Sequence, residues 1–138
     1  MLTRDQISAL IPHKGSMCLL EEVKFWDQIK ILCVTTSHLS PENPLKRNGR
    51  LSALAGVEYG AQATAIHGAL INDQEARPGM LAGLRDIVCH VKYIDENWPE
   101  LQVKAVLELG MGERILYHFS LSADEKLLVA GRVAVALQ

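Results

Sequence analysis

From Leu51 to Ile71 the chain reads LSALAGVEYGAQATAIHGALI, and Glu58 is the only formally charged side chain in that stretch. At about 3.6 residues per turn the window predicts a helix of about six turns. The helix is apolar or small nearly all round, so protein must surround it on most sides. A carboxylate buried without a partner is strongly destabilised, so Glu58 at mid-helix must either change its proton affinity or be matched by donors. A residue so placed is a candidate general acid or base. The competing interpretation is a Glu that reaches a solvent gap or pairs with an Arg for structural reasons.

A chain of 138 residues suits one domain, residues 1–138, with a core that needs neither disulfide nor metal. Hydrophobic content of 49% against 22% charged residues is that of a globular protein rather than a disordered one. A net charge of -2 with a pI near 6.2 gives no electrostatic case for nucleic acid. Cys18, Cys33 and Cys89 are widely spaced within apolar runs and read as buried thiols in a reducing compartment. The first residues, MLTRDQISALIPHKG, carry charges and no long apolar core, so no signal peptide is expected. Leu51–Ile71 is long enough to propose as a membrane span. Its Ala/Gly-rich composition with Glu58, Tyr59, Gln62, Thr64 and His67 argues against one, and the expected location is the cytoplasm.

Thr3-Arg4-Asp5-Gln6 has the capping-box pattern and predicts a short helix that ends before Pro12. Two β-rich runs follow, Met17–Phe25 and Lys30–Thr36, joined around Asp27-Gln28. Ser37–Gly49 holds Ser, Pro, Asn and Gly in quick succession and reads as a loop. After the buried helix, Asn72–Gly79 is a polar connection. The remainder reads as strands: Leu81–Tyr93, a run with Leu101, Val103, Ala105, Leu107 and Leu109 alternating, then Arg114–Ser122 and Lys126–Leu137. One long helix with about six mostly antiparallel strands makes an α+β domain whose sheet wraps a central helix. The small residues of that helix would let strand backbones approach it closely. Glycine costs ~1 kcal/mol relative to Ala in a helix interior, so Gly56 and Gly60 should have packing reasons.

Three segments resemble the hotdog-fold dehydratases that act on 3-hydroxyacyl thioesters of acyl carrier protein, and in particular the branch associated with aryl-polyene-type gene clusters. Ile11-Pro12-His13-Lys14-Gly15-Ser16-Met17-Cys18-Leu19-Leu20 is similar to that family's opening. Gly49 to Gln62, with an acidic residue followed by Ala-Gln, is similar to its central-helix motif. Pro78-Gly79-Met80-Leu81-Ala82-Gly83-Leu84-Arg85 is similar to the strand after the helix. The resemblance implies a hotdog fold, cofactor-free and metal-free chemistry, and a homodimer or higher even oligomer with active sites at the subunit interface. It also implies a carrier-protein or coenzyme A thioester as partner. In such proteins a loop His removes the C2 proton, the helix carboxylate protonates the departing 3-hydroxyl, and a backbone N–H in the first helical turn polarises the thioester carbonyl. Carried over, Glu58 takes the acid position, Gln62 the following amide position and Ala53 the position of the oxyanion-hole residue, with Ser52 before it.

The family's loop His falls fourteen residues before the acid, which here is Pro44, with Asn43 adjacent. His38, twenty residues before Glu58, serves as base only if Glu42–Asn48 acts as an insertion that lets it swing back. Three activities follow: a dehydratase, a thioesterase in which Glu58 activates water, or a non-catalytic acyl-thioester or carrier-protein binding subunit. Lys46, Arg47 and Arg50 form the one local basic cluster, either a solvated loop or a contact for an acidic carrier protein or the pantetheine phosphate, with Arg50 and Asn43 as candidate substrate contacts. His67 reads as a core or interface imidazole. His90 and His118 are too scattered for a metal site, and Trp26 and Trp98 should close the ends of the core.

Overall fold

The structure, a computed structural model, describes residues 2–11, 15–72, 79–111 and 114–137. Pro12-His13-Lys14 of the opening motif and most of the polar connection after the central helix lie outside the described residues. Helix α1 spans Arg4–Leu10 and is closed at its start by the Gln6 side chain, which accepts from Thr3 N at 2.9 Å. Strands β1 (Glu22–Trp26) and β2 (Lys30–Thr35) form the first hairpin. Asp27 makes the turn: its carboxylate accepts from the N–H groups of Ile29 and Lys30, both at 2.8 Å. The central helix α2 is Gly56–Ile71, and β3 (Gly79–Cys89), β4 (Leu101–Met111), β5 (Arg114–Ala123) and β6 (Lys126–Leu137) follow.

The six strands form one antiparallel sheet in the order β1-β2-β4-β5-β6-β3. This is the expected α+β architecture, and it is a hotdog fold. Alternate residues of the sheet, among them Ile31, Cys33, Val103, Ala105, Phe119, Leu121 and Val133, are buried on the face that holds α2. Period-two patterning brings them to one face together.

Gly60 lets α2 approach the sheet closely. A Cβ there would lie 2.3 Å from the Phe119 ring, and a Cβ at Gly131 would lie 3.1 Å from the same ring's far edge. Phe119 therefore fills the space that Gly60 leaves and shares the space at Gly131 with Ile87, whose Cδ1 would lie 2.3 Å from that Cβ. Gly56 is tight against Val129 (3.1 Å), whereas nothing among the described residues lies within 4 Å of a Cβ at Gly68. The expected packing reason holds for Gly56 and Gly60.

Three boundaries differ from expectation. Leu51 and Ser52 are extended, a single 3-10 turn occupies Ala53–Ala55, and the α-helix starts only at Gly56. Backbone pairing is the cause, because residues 51–53 bond to residues 92–94. Met17–Leu20 is not strand, being held against α2 by a side chain described below. Strand β3 ends at Cys89, with bulges near Gly83 and Asp86. Cys89 is exposed because β3 is an edge strand, which corrects the expectation of three buried thiols, while Cys18 and Cys33 are buried. Trp26 and Trp98 are partly buried and pack against the core, as expected.

Among the described residues, no helix is long and apolar enough to cross a membrane. The sheet's two edges are unequal. β1 has five residues, a bulge and a backbone bridge from Leu2 to Val23. β3 has eleven residues and exposes Leu84 and Val88.

Candidate active site

The late start of α2 places Glu58 in its first turn rather than at mid-helix. A carboxylate there is favoured by the positive end of the helix dipole. Glu58 is half-buried, and its Oε1 accepts from Gln62 Nε2 at 3.2 Å. The carboxylate is thus matched by a donor.

Gln62 lies one turn further along and is completely buried. Its Oε1 accepts from Leu19 N at 2.9 Å and its Nε2 donates to Met17 O at 2.7 Å. A carboxamide presents a donor and an acceptor side by side, which is what an extended backbone segment needs for two bonds. Gln62 therefore straps residues 17–19 to the helix while also touching Glu58.

The loop before the helix is organised around Asn43 and Tyr59. Asn43 is buried; its Nδ2 donates to Ser37 O and to Tyr59 Oη, both at 3.0 Å, and its Oδ1 accepts from Leu45 N at 2.9 Å. Tyr59 Oη also lies 2.9 Å from Ser37 Oγ. The side-chain amide of Asn43 is engaged within the loop, whereas the expected role for it was a substrate contact. Between this loop and the strap lies a groove of about 560 Å3, lined by Arg4, Ser16, Cys18, Glu21, Ser37 and Asn43.

His38 sits in a 3-10 turn, Ser37–Leu39, and is completely buried. Its Nε2 is 2.6 Å from Trp98 O. A carbonyl only accepts, so Nε2 carries the proton and Nδ1 holds a bare lone pair. That Nδ1 is buried with no hydrogen-bond partner among the described residues. Burial pushes the imidazole below the usual histidine range, and the bond to Trp98 offsets this in part. His38 is thus a neutral base in form, but it is tied through Nε2 and does not swing freely.

At the helix approach, Ala53 N donates to Lys92 O at 3.0 Å, Ala55 N to Ser52 O at 2.9 Å, and Leu54 N to Ser52 Oγ at 3.3 Å. The N–H expected to polarise a carbonyl, that of Ala53, is therefore already engaged. The Leu54 N–H has the longest of these bonds and is the most readily exchanged. Arg50 is exposed and stacks on Tyr93, 4.8 Å from the ring centroid. Lys46 pairs with Glu96 at 3.2 Å, and Arg47 Nη1 donates to the Pro44 and Lys46 carbonyls.

The structure brings Glu58 and Gln62 together, and it ties the loop of His38 and Asn43 to the same helical turn through Tyr59. Arg50 stands apart, on the approach to the helix. Tyr59, Ser37, Trp98, Lys92 and Tyr93 were not expected in these roles. For Tyr59 a signal existed, since a hydroxyl on a helix of small residues must find a partner when buried. His67 is a core imidazole, as expected. It lies between Tyr117 Oη and Asp27 O, at 2.5 and 2.7 Å.

The model of the ApeP-like family, ApeP dehydratase, matches residues 5–138. A solved structure, the dehydratase heterocomplex ApeI:P from Xenorhabdus doucetiae, is similar with a TM-score of 0.83 at 23% identity, covering 100% of this chain and 92% of that one. Zebra fish thioesterase superfamily member 2 is similar with a TM-score of 0.71 at 14% identity, covering 99% of each chain. A hypothetical thioesterase from Streptococcus pneumoniae TIGR4, solved with coenzyme A, has a TM-score of 0.63 at 10% identity, covering 85% of this chain and 84% of that one. No curated protein sequence matches this chain. The fold is shared by dehydratases and thioesterases alike, and with the family model spanning nearly the whole sequence, this chain belongs to the ApeP-like family of dehydratases.

Proposed function

We propose that the chain eliminates water from a 3-hydroxyacyl thioester to give the enoyl thioester, with Glu58 as the acid. The observation that carries this reading is the Glu58 carboxylate itself, presented at a helix N-terminus and oriented by Gln62 at 3.2 Å. The C2–H bond breaks as a base takes the proton, its electron pair forms the C2–C3 double bond, and the C3–O bond breaks. Glu58 supplies the proton that lets the 3-hydroxyl leave as water. His38 Nδ1 is the base, and it reaches substrate only when the Ser37–Leu39 turn opens, because the ring is sealed in the closed loop. The Leu54 N–H takes the carbonyl-polarising role by exchanging its long bond to Ser52 Oγ for the thioester oxygen. The substrate arrives on carrier protein or coenzyme A. A second hotdog subunit, in the first instance another copy of this chain, pairs along β3.

The test uses reversibility. A dehydratase also hydrates the enoyl thioester and exchanges C2 protons with deuterated solvent, and His38→Ala lowers enoyl formation by at least ~100-fold. Release of free thiol without exchange would instead identify a thioesterase. The engaged Ala53 N–H and the sealed His38 favour that second reading, in which Glu58 acts on water and no histidine is needed.

A further inference from the structure

Glu21 stands just before β1 and reaches across the open end of the first hairpin to Thr36, just after β2. Its Oε1 accepts from Thr36 N at 2.7 Å and from Thr36 Oγ1 at 2.9 Å, and its Oε2 lies 3.2 Å from the same hydroxyl. Thr36 is the N-cap of the 3-10 turn that carries His38, yet its side chain makes no capping bond to that turn. Its hydroxyl and its N–H are both given to the half-buried carboxylate instead.

The next residue is fixed as well. Ser37 N donates to Thr35 Oγ1 at 3.0 Å, and that buried hydroxyl donates to Leu19 O at 2.5 Å. Leu19 is in turn held by Gln62, so the start of the turn is tied through the strap to α2. Beyond this root the hold is lighter. Leu39 N bonds to Thr36 O at 2.9 Å and Ser40 N to Ser37 O at 3.2 Å, both within the turn itself. The His38 ring makes a single hydrogen bond among the described residues, to Trp98 O. Bonds to an ionised acceptor are the stronger kind, so two donors on one carboxylate outlast one neutral bond between an imidazole and a carbonyl. Glu21, Thr36, Ser37 and Leu39 all line the groove beside the strap, whereas the ring faces Trp98. The charge of Glu21 also favours the protonated ring, as does that of Glu96, while Lys46 opposes it.

We propose that Glu21 is a positioning residue for His38: it roots the Ser37–Leu39 turn at Thr36, so that the ring is released by breaking its Trp98 bond while the root keeps its place. Glu21 itself touches no reacting atom. Its meaning for turnover rests on the reading of His38 as the base, so the test follows the ring's exposure and stands apart from activity.

Diethyl pyrocarbonate modifies neutral imidazole nitrogens, and peptide mass spectrometry reads the rate at each histidine of the full chain. In the wild type, exposed His90 should react fast, His38 slowly, and completely buried His67 slowest. Glu21→Ala should raise the His38 rate by at least about tenfold, the scale of a hydrogen bond to a charged group, and leave His67 protected. Glu21→Gln keeps an acceptor oxygen for Thr36 and should restore most of the protection. An unchanged His38 rate in Glu21→Ala overturns the proposal, and so does a Gln variant no better protected than the Ala variant. A rise at His67 in step with His38 also overturns it, because the carboxylate then supports the whole fold rather than this turn. Rates that follow Glu21 in a chain whose His38→Ala variant still forms the enoyl product leave the root standing and refute His38 as the base.

Discussion

The hydroxyl of Tyr59 lies 2.9 Å from Ser37 Oγ, so the residue after Glu58 is tied to the residue before His38. Asn43 completes the brace from the far side of the loop, with its Nδ2 3.0 Å from Tyr59 Oη. The spacing between the two proposed proton-transfer groups is thus set by a hydroxyl that itself transfers nothing. Tyr59→Phe should cost about 1–2 kcal/mol of stability and lower kcat by roughly tenfold with little change in KM, as expected for misplacement of reacting groups. Urea unfolding and steady-state kinetics check the two together. An active Tyr59→Phe enzyme would separate the brace from catalysis.

Glu58→Gln keeps an acceptor for Gln62 Nε2 but cannot protonate a leaving hydroxyl. Turnover should fall by at least ~100-fold while the circular dichroism spectrum and denaturant midpoint stay the same or improve, since removing a half-buried charge often stabilises. Wild-type activity in this variant would remove Glu58 from the mechanism.

Most of the architecture was readable from local pattern. Alternating residues in β4, turn residues around Asp27, the capping box at Thr3 and Gln6, and the small residues of α2 each act over a few positions. What escaped the sequence depends on pairings far apart in the chain. The start of α2 is postponed by residues 92–94, His38 is sealed by the Trp98 carbonyl, and the strap at Met17–Leu19 answers to Gln62. No periodicity records such contacts. Glu58 was readable as a candidate because a lone carboxylate in apolar surroundings stands out, whereas the brace on Tyr59 looks like one more core aromatic. Ser37–Gly49 was readable as a loop, but the tight turn at Asn48-Gly49 and the stacking of Arg50 on Tyr93 beyond it were not.

Gly60→Ala tests how closely α2 is seated. The new methyl would meet the Phe119 ring at 2.3 Å, and overpacking of this kind costs about 1–3 kcal/mol. Gly68→Ala, with nothing within 4 Å among the described residues, should instead be neutral or stabilising by up to about 1 kcal/mol. Chemical denaturation of the two variants should move the midpoint in these opposite directions, and equal shifts would contradict the packing.

Acid should weaken the fold from near pH 6.5 downward. Burial holds His38 and His67 below the usual histidine range, so in that window the unfolded chain binds more protons than the folded one. Stability is then complete above the unfolded value of about 6.5 and is lost as pH falls through the folded values. Asp27, held low by the Ile29 and Lys30 N–H groups, adds its loss only further down, near about pH 4. The melting temperature followed from pH 8 to 5 should drop, and His67→Gln should flatten the slope. A flat wild-type profile would contradict neutral burial of both rings.

Sedimentation at micromolar concentration should show a dimer or a multiple of it. Val88→Lys, on the exposed part of β3, should shift that equilibrium toward monomer by at least about tenfold, since an edge charge blocks strand addition. A wild-type monomer would remove β3 from assembly.

The inequality of the two sheet edges bears on how many partners the sheet could take as well as where. A ladder with two open ends can take on partners indefinitely, as fibres do. Here one end is short, kinked by its bulge and already bridged by Leu2, and only the other offers a long run of backbone. Such a sheet has a valence of one. Whatever chain joins it, a copy or a relative, completes the sheet and ends its growth, so the same asymmetry that permits association also guards a β-rich protein against polymerising.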